Sequence, residues 1–469
     1  MRWTLLSSVL RRIISLLLFL VIAGWLSQAD FGIFRSFSLI LLLLSTAATF
    51  GLDLHYISSQ KRGLLNLLSL IQSGIMLSLG LGVLCTVFAI SLGKLYHSPE
   101  LGRLLLFSLP VLGIEVLRLV NRAWAQKQLK FRELALAETL NVLLYSALAI
   151  VGIFFIREVW LYLTIYYLGN LAEALCLWKL LPPLPDSIRR RVFSKQALRN
   201  SLAVVKINAA FLANVNSINI IQVYAGNAPI LFLGMLAAPE QMGLYFFATQ
   251  LIGVPVGMLT GSLSQVFFPV FALQEKALVI SNIKRYTALV LGLGLPLLIG
   301  YAFGLQYIIP FLLGDKWNAA LPLIYYLLLF YGSSLLHHPI SGIPILCRKP
   351  EWELIWNVVS FLLRIGALAW GIRFGYNFAV LLFCIVSALL HLGFYLMALV
   401  LLRINLLSAI LNLLPRLLIP GALTALLLLM NRLQGGLLFG SALLLLYFAA
   451  TFFIRPDLWQ DLKKLLLPA

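Results

Sequence analysis

Seven basic side chains lie within or at the ends of long apolar stretches of the 469-residue chain. An ionised side chain at the centre of a bilayer costs roughly 2.5–3.5 kcal/mol, so a charge at such a position usually has a function or a partner. The planar guanidinium of arginine donates two parallel hydrogen bonds to phosphate oxygens. We therefore expect these residues to bind a diphosphate: Arg11, Arg12, Arg35, Arg118, Arg122, Lys206 and Arg364.

Acidic residues in the same stretches allow two further interpretations. Asp53, Glu115 and Glu138 are candidates to bind and release a proton or a sodium ion, because they lie deep in apolar surroundings. The same acids, together with Glu173, are also candidates to pair with the arginines and hold helices together. Since the cations outnumber the acids, we do not expect pairing to account for all of them.

Helical spacing places these charges beside other polar side chains. At about 100° per residue, residues three, four or seven positions apart share one face of a helix. Five apolar stretches carry such polar stripes, and we expect them to line a hydrated, mainly cationic cavity. The stripes are Arg35, Ser38, Ser45, Thr49 and Asp53; Glu115, Arg118 and Arg122; Glu138, Asn141 and Tyr145; Asn208, Asn214, Asn216, Asn219 and Gln222; and Asn357, Ser360 and Arg364.

Residue patterns for other kinds of chemistry are missing from the sequence. The four cysteines and five histidines, including His337, His338 and His391, show no CxxC or metal-ligand spacing, so we expect them to be packing residues. The chain has no paired carboxylates, no nucleophile motif and no glycine-rich phosphate loop. We therefore predict no enzymatic activity, no metal and no cofactor.

The composition indicates that membrane-spanning helices position these residues. The chain is 62% hydrophobic and 11% charged, which leaves too little polar surface to cover a soluble globule. The apolar runs are long and unbroken, whereas β-barrel strands are short and alternating. At roughly 20 residues per crossing, we predict about fourteen helices. They lie near residues 5–27, 33–56, 66–93, 101–121, 134–156, 158–179, 203–235, 241–272, 286–312, 319–346, 354–373, 377–402, 408–431 and 435–454.

The net charge of +19 follows the positive-inside pattern of membrane proteins. The largest basic cluster, residues 189–191 with Lys195 and Arg199, lies between the sixth and seventh predicted helices. We therefore place this segment and both termini in the cytoplasm. Anionic membrane lipids are the expected contact of the basic loops, and nucleic acid is not an expected partner.

An internal repeat divides the chain. Residues 24–34 and 234–245 share a short acidic turn followed by a glycine, an apolar residue and an aromatic residue. Six helices per half give both halves the same orientation in the membrane, so we predict two parallel-related six-helix lobes. The lobes comprise residues 1–180 and 203–403 and are joined by a basic linker at 181–202. Residues 404–469 form an appended helix pair and a tail.

The turn and glycine pattern of residues 24–34 resembles the polysaccharide-transporter branch of the MATE-like flippase superfamily. The amphipathic segment 121–126 and the turn 314–320 are similar to that branch as well. Wzx-type oligosaccharide-lipid flippases belong to the same branch. The likeness covers nearly the whole chain.

This resemblance implies an all-α, MATE-like fold that works in the inner membrane by alternating access. It further implies a flippase for a polyprenyl-diphosphate-linked oligosaccharide used in cell-surface polysaccharide, including lipopolysaccharide, synthesis. The expected partners are that lipid-linked glycan, membrane lipids, a polysaccharide polymerase and chain-length proteins. Two alternatives stay open: an integral-membrane polymerase or ligase, which generally needs a larger outer loop, and a MATE-type small-molecule antiporter.

Reporter fusions test the predicted orientation. Fusions near residue 190 and at the C-terminus should report the cytoplasm, because basic connections are retained on that side. Fusions near residues 97, 238, 315 and 375 should report the outside. An external signal at Arg190 would contradict both the orientation and the six-plus-six division.

Overall fold

A computed structural model describes residues 2–49, 56–57, 63–153, 155, 158–181, 223–224, 226–227, 229–273, 276–405, 407, 411, 418, 420–423, 425–427, 436–454, 456–458 and 460. Every regular element in these residues is helical, which confirms the all-α prediction. The chain forms two compact units, Met1–Phe246 and Phe247–Ala469. The predicted linker at 181–202 lies almost wholly outside the described residues, so the predicted lobe boundaries stay a prediction.

The described part of the first unit contains seven helices and the start of an eighth. Within it, α6 packs against α1 and α7, and α5 packs against α3 and α7. The helices are α1 (Arg2–Trp25), α2 (Gln28–Thr49), α3 (Gly63–Leu95), α4 (Pro99–Leu105), α5 (Ser108–Lys127), α6 (Phe131–Ile153), α7 (Val159–Leu180) and α8 (Pro239–Leu273).

The second unit contains the other helices. They are α9 (Lys276–Leu289), a π-helical turn (Val290–Gly294), α10 (Leu295–Leu313), a 3-10 turn (Gly314–Ala320), α11 (Leu321–His337), a second 3-10 turn (His338–Ile340), α12 (Ile343–Leu346), α13 (Pro350–Gly371), a third 3-10 turn (Ile372–Phe374), α14 (Tyr376–Leu401) and α15 (Gly436–Ile454). Helix α14 packs against α11 and α13. Helix α15, the second of the appended pair, contacts α10 through Gly440 and Phe303, and it therefore packs within this unit.

The described helices include several that are long and apolar enough to cross a membrane. Six segments meet this test, and the pair α4 and α5, which meet at a bend of 56°, makes a seventh. One of the six, Lys276–Leu346, has 71 residues, whereas a single crossing takes only about 20. The protein therefore spans the membrane several times. The number fourteen stays a prediction, because the predicted spans near 203–235 and 408–431 lie largely outside the described residues.

Two helix starts show how the local sequence fixes these boundaries. Before α2, the Ser27 hydroxyl accepts a hydrogen bond from the Asp30 amide at 3.0 Å and donates to the Asp30 carboxylate at 2.6 Å. Before α4, the Ser98 hydroxyl accepts from the Leu101 amide at 3.1 Å, and Pro99 takes the first helical position. Each serine satisfies an amide that has no partner within its helix.

The starts of α2 and α8 cross with their backbones in contact. A Cβ atom added at Gly32 would clash with the Pro239 carbonyl oxygen, and one added at Gly243 would clash with the Gln28 carbonyl oxygen. Gly243 follows Gly32 by as many residues as Pro239 follows Gln28. The crossing is therefore reciprocal, and the repeated glycine has the same role in both segments.

Substitution of either glycine should destabilise the protein. In Gly243→Ala the new methyl group meets a backbone atom that cannot rotate away, and overpacking of this kind costs about 1–3 kcal/mol. Gly80→Ala in α3 is the matched control, because nothing lies within 4 Å of its added Cβ. Thermal unfolding of the detergent-solubilised protein should show a lower midpoint for Gly243→Ala only. Equal midpoints for the two variants would contradict the contact.

Candidate functional site

A network of charged and amide side chains connects α5, α6 and α7. On α5, Arg118 donates to the Glu115 carboxylate one turn away, through Nη2 at 2.6 Å and Nε at 3.2 Å. One turn further along, Arg122 donates through Nε to Glu173 of α7 at 2.5 Å. Nη2 of Arg122 lies 3.3 Å from Oε1 of Glu138 on α6. Two arginines of one helix thus reach carboxylates on three helices.

Amide side chains complete the network. Asn170 donates to Glu115 at 2.5 Å, and Asn141 donates to Glu173 at 2.7 Å and to the Asn170 side-chain oxygen at 3.0 Å. Glu173 is fully buried, and Arg118 Nη1 also lies 3.7 Å from it. A buried carboxylate is stable only when such donors replace its hydration. The network meets that requirement.

Arg11 of α1 joins this network by an ion pair with Glu138. The network then contains three arginines and three glutamates, so its net charge is zero. Arg11, Arg118 and Arg122 therefore pair with acids and hold helices together, which is the second of the two interpretations. A neutral cluster attracts an anion much less than free cations do, because the paired carboxylates cancel the field.

Arg35 of α2 has different surroundings. Its guanidinium lies over the rings of Phe31 at 5.6 Å and Phe34 at 5.8 Å. Tyr145 and Tyr166, whose rings lie 5.5 Å apart, are within electrostatic range of it. Among the described residues, no carboxylate pairs with Arg35, and its buried Nε has no hydrogen-bond partner. This half-buried arginine therefore keeps its positive charge uncompensated in that part of the chain.

Two other members of the α2 stripe, Ser38 and Ser45, donate their hydroxyl hydrogens within their own helix. The Ser38 hydroxyl donates to the Phe34 carbonyl at 2.9 Å, and the Ser45 hydroxyl donates to the Leu42 carbonyl at 3.0 Å. The Arg12 side chain, Asp53 and Lys206 lie outside the described part of the structure. The roles predicted for these residues stay predictions.

In the second unit, Arg364 lies in a cluster of histidines. Its Nη2 is 3.0 Å from Nε2 of His391, and its guanidinium lies 5.7 Å from the Phe330 ring centre. The His337 ring stacks on His391 at 5.0 Å, and His338 lies 5.2 Å from His337. The spacing of the histidines did not predict this cluster, because α11 and α14 contribute residues that are far apart in the chain. No group of three or more potential ligands among the described residues is arranged to hold a metal.

An apolar cavity of about 760 Å³ lies between α3, α5 and α7. Its wall includes Ile75, Gly113, Val116 and Trp178, and Asn121 is one of its few polar members. The Asn121 amide donates to the Ala174 carbonyl at 2.8 Å, so it is already satisfied. Such a lining suits hydrocarbon and offers almost nothing to a sugar.

The chain is similar to one protein family and to two proteins that are all named for the synthesis of polysaccharides or related surface polymers. The profile of the family described as "Polysaccharide biosynthesis protein" matches residues 21–322. The chain is 25% identical over 380 residues to the lipopolysaccharide biosynthesis protein WzxC of Escherichia coli, which covers 79% of this chain and 74% of WzxC. It is 24% identical over 235 residues to the teichuronic acid biosynthesis protein TuaB of Bacillus subtilis, covering 50% of this chain and 47% of TuaB.

Solved structures share the fold. The lipid II flippase MurJ in an inward closed conformation matches with a TM-score of 0.64 and 14% identity, over 97% of this chain and 99% of MurJ. An inward-facing MATE multidrug resistance transporter matches with a TM-score of 0.61 and 16% identity, over 84% of this chain and 94% of the transporter. The predicted MATE-like architecture is confirmed.

Removal of one carboxylate should destabilise the network. In Glu173→Gln, Arg122 and Arg118 lose a buried counter-charge, and breaking such a pair costs about 3–5 kcal/mol. Adding Arg122→Met should recover part of that loss, because it removes the cation left behind. The control Glu133→Gln breaks a largely exposed pair with Lys130 at 3.5 Å and should leave the stability nearly unchanged.

Thermal unfolding of the three purified variants gives the comparison. A Glu173→Gln protein as stable as the Glu133→Gln control would show that the ion pairs do not hold these helices together.

Proposed function

Because the chain belongs to the polysaccharide biosynthesis protein family, we propose that it is a flippase for polyprenyl-diphosphate-linked oligosaccharide. WzxC and TuaB are named for the synthesis of surface polysaccharides, and MurJ, whose fold this chain shares, is named a lipid flippase. The proposed location is the inner membrane, with both termini in the cytoplasm. A polysaccharide polymerase and chain-length proteins are the proposed partners beyond the substrate.

The observation that carries this proposal is the uncompensated charge of Arg35. A cation in a medium of low dielectric constant attracts an anion far more strongly than it would in water. Phe31 and Phe34 lie beside the guanidinium and leave its donors for a ligand. The planar fork matches two oxygens of a phosphate, so a diphosphate fits both its charge and its shape.

The neutral network has a supporting role in the proposal. Its ion pairs connect α1, α5, α6 and α7 and leave no net charge among these six side chains. Arg35 is then a localised anion site rather than one member of a broad cationic surface. Tyr145 and Tyr166, from α6 and α7, add hydroxyl groups within electrostatic range of the same guanidinium.

The apolar cavity of the same unit supports a lipid-linked substrate. Its walls accommodate hydrocarbon, whereas the Arg35 site accommodates phosphate, so the unit offers surfaces for both parts of a polyprenyl diphosphate. A MATE-type antiporter of organic cations shares the fold, but an uncompensated arginine would repel such a substrate. The proposed activity is transport and not catalysis.

Export should depend on the charge and the shape of Arg35. Arg35→Gln should lower export of the glycan at least about tenfold, because a phosphate contact of this kind contributes roughly 1.5–3 kcal/mol. Arg35→Lys should keep part of the activity, since an ammonium cannot reproduce the fork. The matched control is Arg103→Gln, an exposed arginine on α4, which should export normally. Each variant is expressed in cells that contain no other copy of the protein. The lipid-linked glycan that remains in the inner leaflet is then measured.

Unfolding of the Arg35→Gln protein is not expected to cause the loss of export. Removing an uncompensated buried cation does not leave an unpaired carboxylate, so Arg35→Gln should unfold no earlier than the native protein. A stable Arg35→Gln protein with full export would overturn the proposed site.

A further inference from the structure

The polar stripe of α6 contains one residue that the neutral network does not use. Glu138 and Asn141 belong to that network, whereas Tyr145 lies one turn further along the same face, about 6 Å from Asn141 along the helix axis. The Tyr145 side chain is half-buried, and its hydroxyl makes no hydrogen bond within the described part of the chain. The hydroxyl hydrogen of Tyr145 is therefore available to a ligand.

Aromatic contacts place Tyr145 near Arg35. The Tyr145 ring meets the Tyr166 ring edge to face at 5.5 Å, and Tyr166 meets Phe34 in the same way at 6.2 Å. The Phe34 ring in turn lies beside the Arg35 guanidinium, and Tyr145 is within electrostatic range of that group. Among the described rings, the guanidinium lies over Phe31 and Phe34 and not over Tyr145. Tyr145 is thus close to the proposed anion site but offset from the guanidinium.

The two tyrosines near Arg35 differ in their hydroxyl contacts. The Tyr166 hydroxyl interacts with the side chain of Asn170, which itself donates to Glu115 in the neutral network. Tyr166 is therefore anchored to that network, and it supports the Tyr145 ring through their edge-to-face contact. Since the Tyr145 hydroxyl has no such contact among the described residues, it is the hydroxyl that can turn toward a ligand.

The guanidinium and the Tyr145 hydroxyl can bind different parts of one anion. The planar fork of Arg35 matches two oxygens of a single phosphate. A donor on another helix, offset from that fork, is then available to the oxygens of a neighbouring phosphate group. A tyrosine hydroxyl is well suited to this position, because it donates a hydrogen bond without adding a charge.

We infer that Tyr145 is the second donor of the Arg35 site and that it binds the phosphate next to the one held by the guanidinium. The site then distinguishes a diphosphate from a single phosphate. A lipid that carries only one phosphate gains only the guanidinium contact, so it binds less tightly. The inference rests on the proposed function, because Arg35 is the proposed phosphate site.

Calorimetry of the full-length, detergent-solubilised protein tests the site with inorganic pyrophosphate and inorganic phosphate, at one pH and one salt concentration. Tyr145→Phe removes only the hydroxyl and keeps the ring contact with Tyr166. It should weaken pyrophosphate binding at least about tenfold, because a hydrogen bond to a charged group is lost, and change phosphate binding less than about twofold. The matched control Tyr326→Phe changes a half-buried tyrosine on α11, and it should bind both anions like the native protein.

Arg35→Lys separates the two roles within the site. The guanidinium contact is common to both anions, so this variant should weaken the binding of pyrophosphate and of phosphate by similar factors. Tyr145→Phe should weaken pyrophosphate binding alone. The ratio of the two affinities therefore falls in Tyr145→Phe and stays close to the native ratio in Arg35→Lys.

Three results would overturn the inference: a Tyr145→Phe protein that binds pyrophosphate as tightly as the native protein, one that weakens both anions equally, or a native protein that does not bind pyrophosphate. Failure of the proposed function has a different signature. In that case Tyr145 would set the preference for pyrophosphate as expected, but Arg35→Gln would still export the glycan normally.

Discussion

The cost of placing charge inside a bilayer governs the arrangement of this protein. A glutamate with no exposed surface, Glu173, is stable only because Arg122, Arg118 and Asn141 replace its lost hydration. Those partners come from two other helices, so neutralising one carboxylate also fixes where α5, α6 and α7 lie. The Arg11–Glu138 pair extends the same requirement to α1. The same contacts therefore neutralise the buried charges and determine how the helices pack.

The role proposed for Arg35 depends on the neutralisation of the other three arginines. If the other arginines of the first unit were also uncompensated, an anion would meet a broad field with no preferred position. Since Arg11, Arg118 and Arg122 are neutralised, Arg35 is distinguished from these three arginines by its uncompensated charge among the described residues, and aromatic rings lie around it. One unsatisfied guanidinium can then be more selective than several, because only a ligand that reaches it gains the full interaction.

The sequence predicted what depends on spacing within one helix and failed where contacts join different helices. Glu115 and Arg118 are one helical turn apart, so their spacing in the sequence predicted that they share a face. Most of the described helices also begin and end within a few residues of their predicted bounds. Nothing in the sequence selects Glu173 as the partner of Arg122, since that choice depends on how α5 packs on α7. The His391–Arg364 contact was missed for the same reason. The repeated glycines at 32 and 243 were visible as a pattern, but their mutual contact follows only from the crossing of α2 and α8.

The two compact units neutralise or restrain their arginines with different chemistry, and this difference has a physical consequence. Carboxylates in the first unit carry a charge opposite to that of their arginine partners, so charge attraction and hydrogen bonds act together in each pair. Removal of either member of such a pair would leave an uncompensated buried charge. An imidazole acceptor, as in the contact between His391 and Arg364, is uncharged in this arrangement, because the guanidinium has only donors and Nε2 must supply a lone pair. That contact satisfies a donor of Arg364 but contributes no negative charge, whereas the carboxylates cancel the charges of Arg118 and Arg122. The choice of glutamate or histidine beside an arginine thus decides whether the contact cancels the positive charge or only satisfies a hydrogen-bond donor.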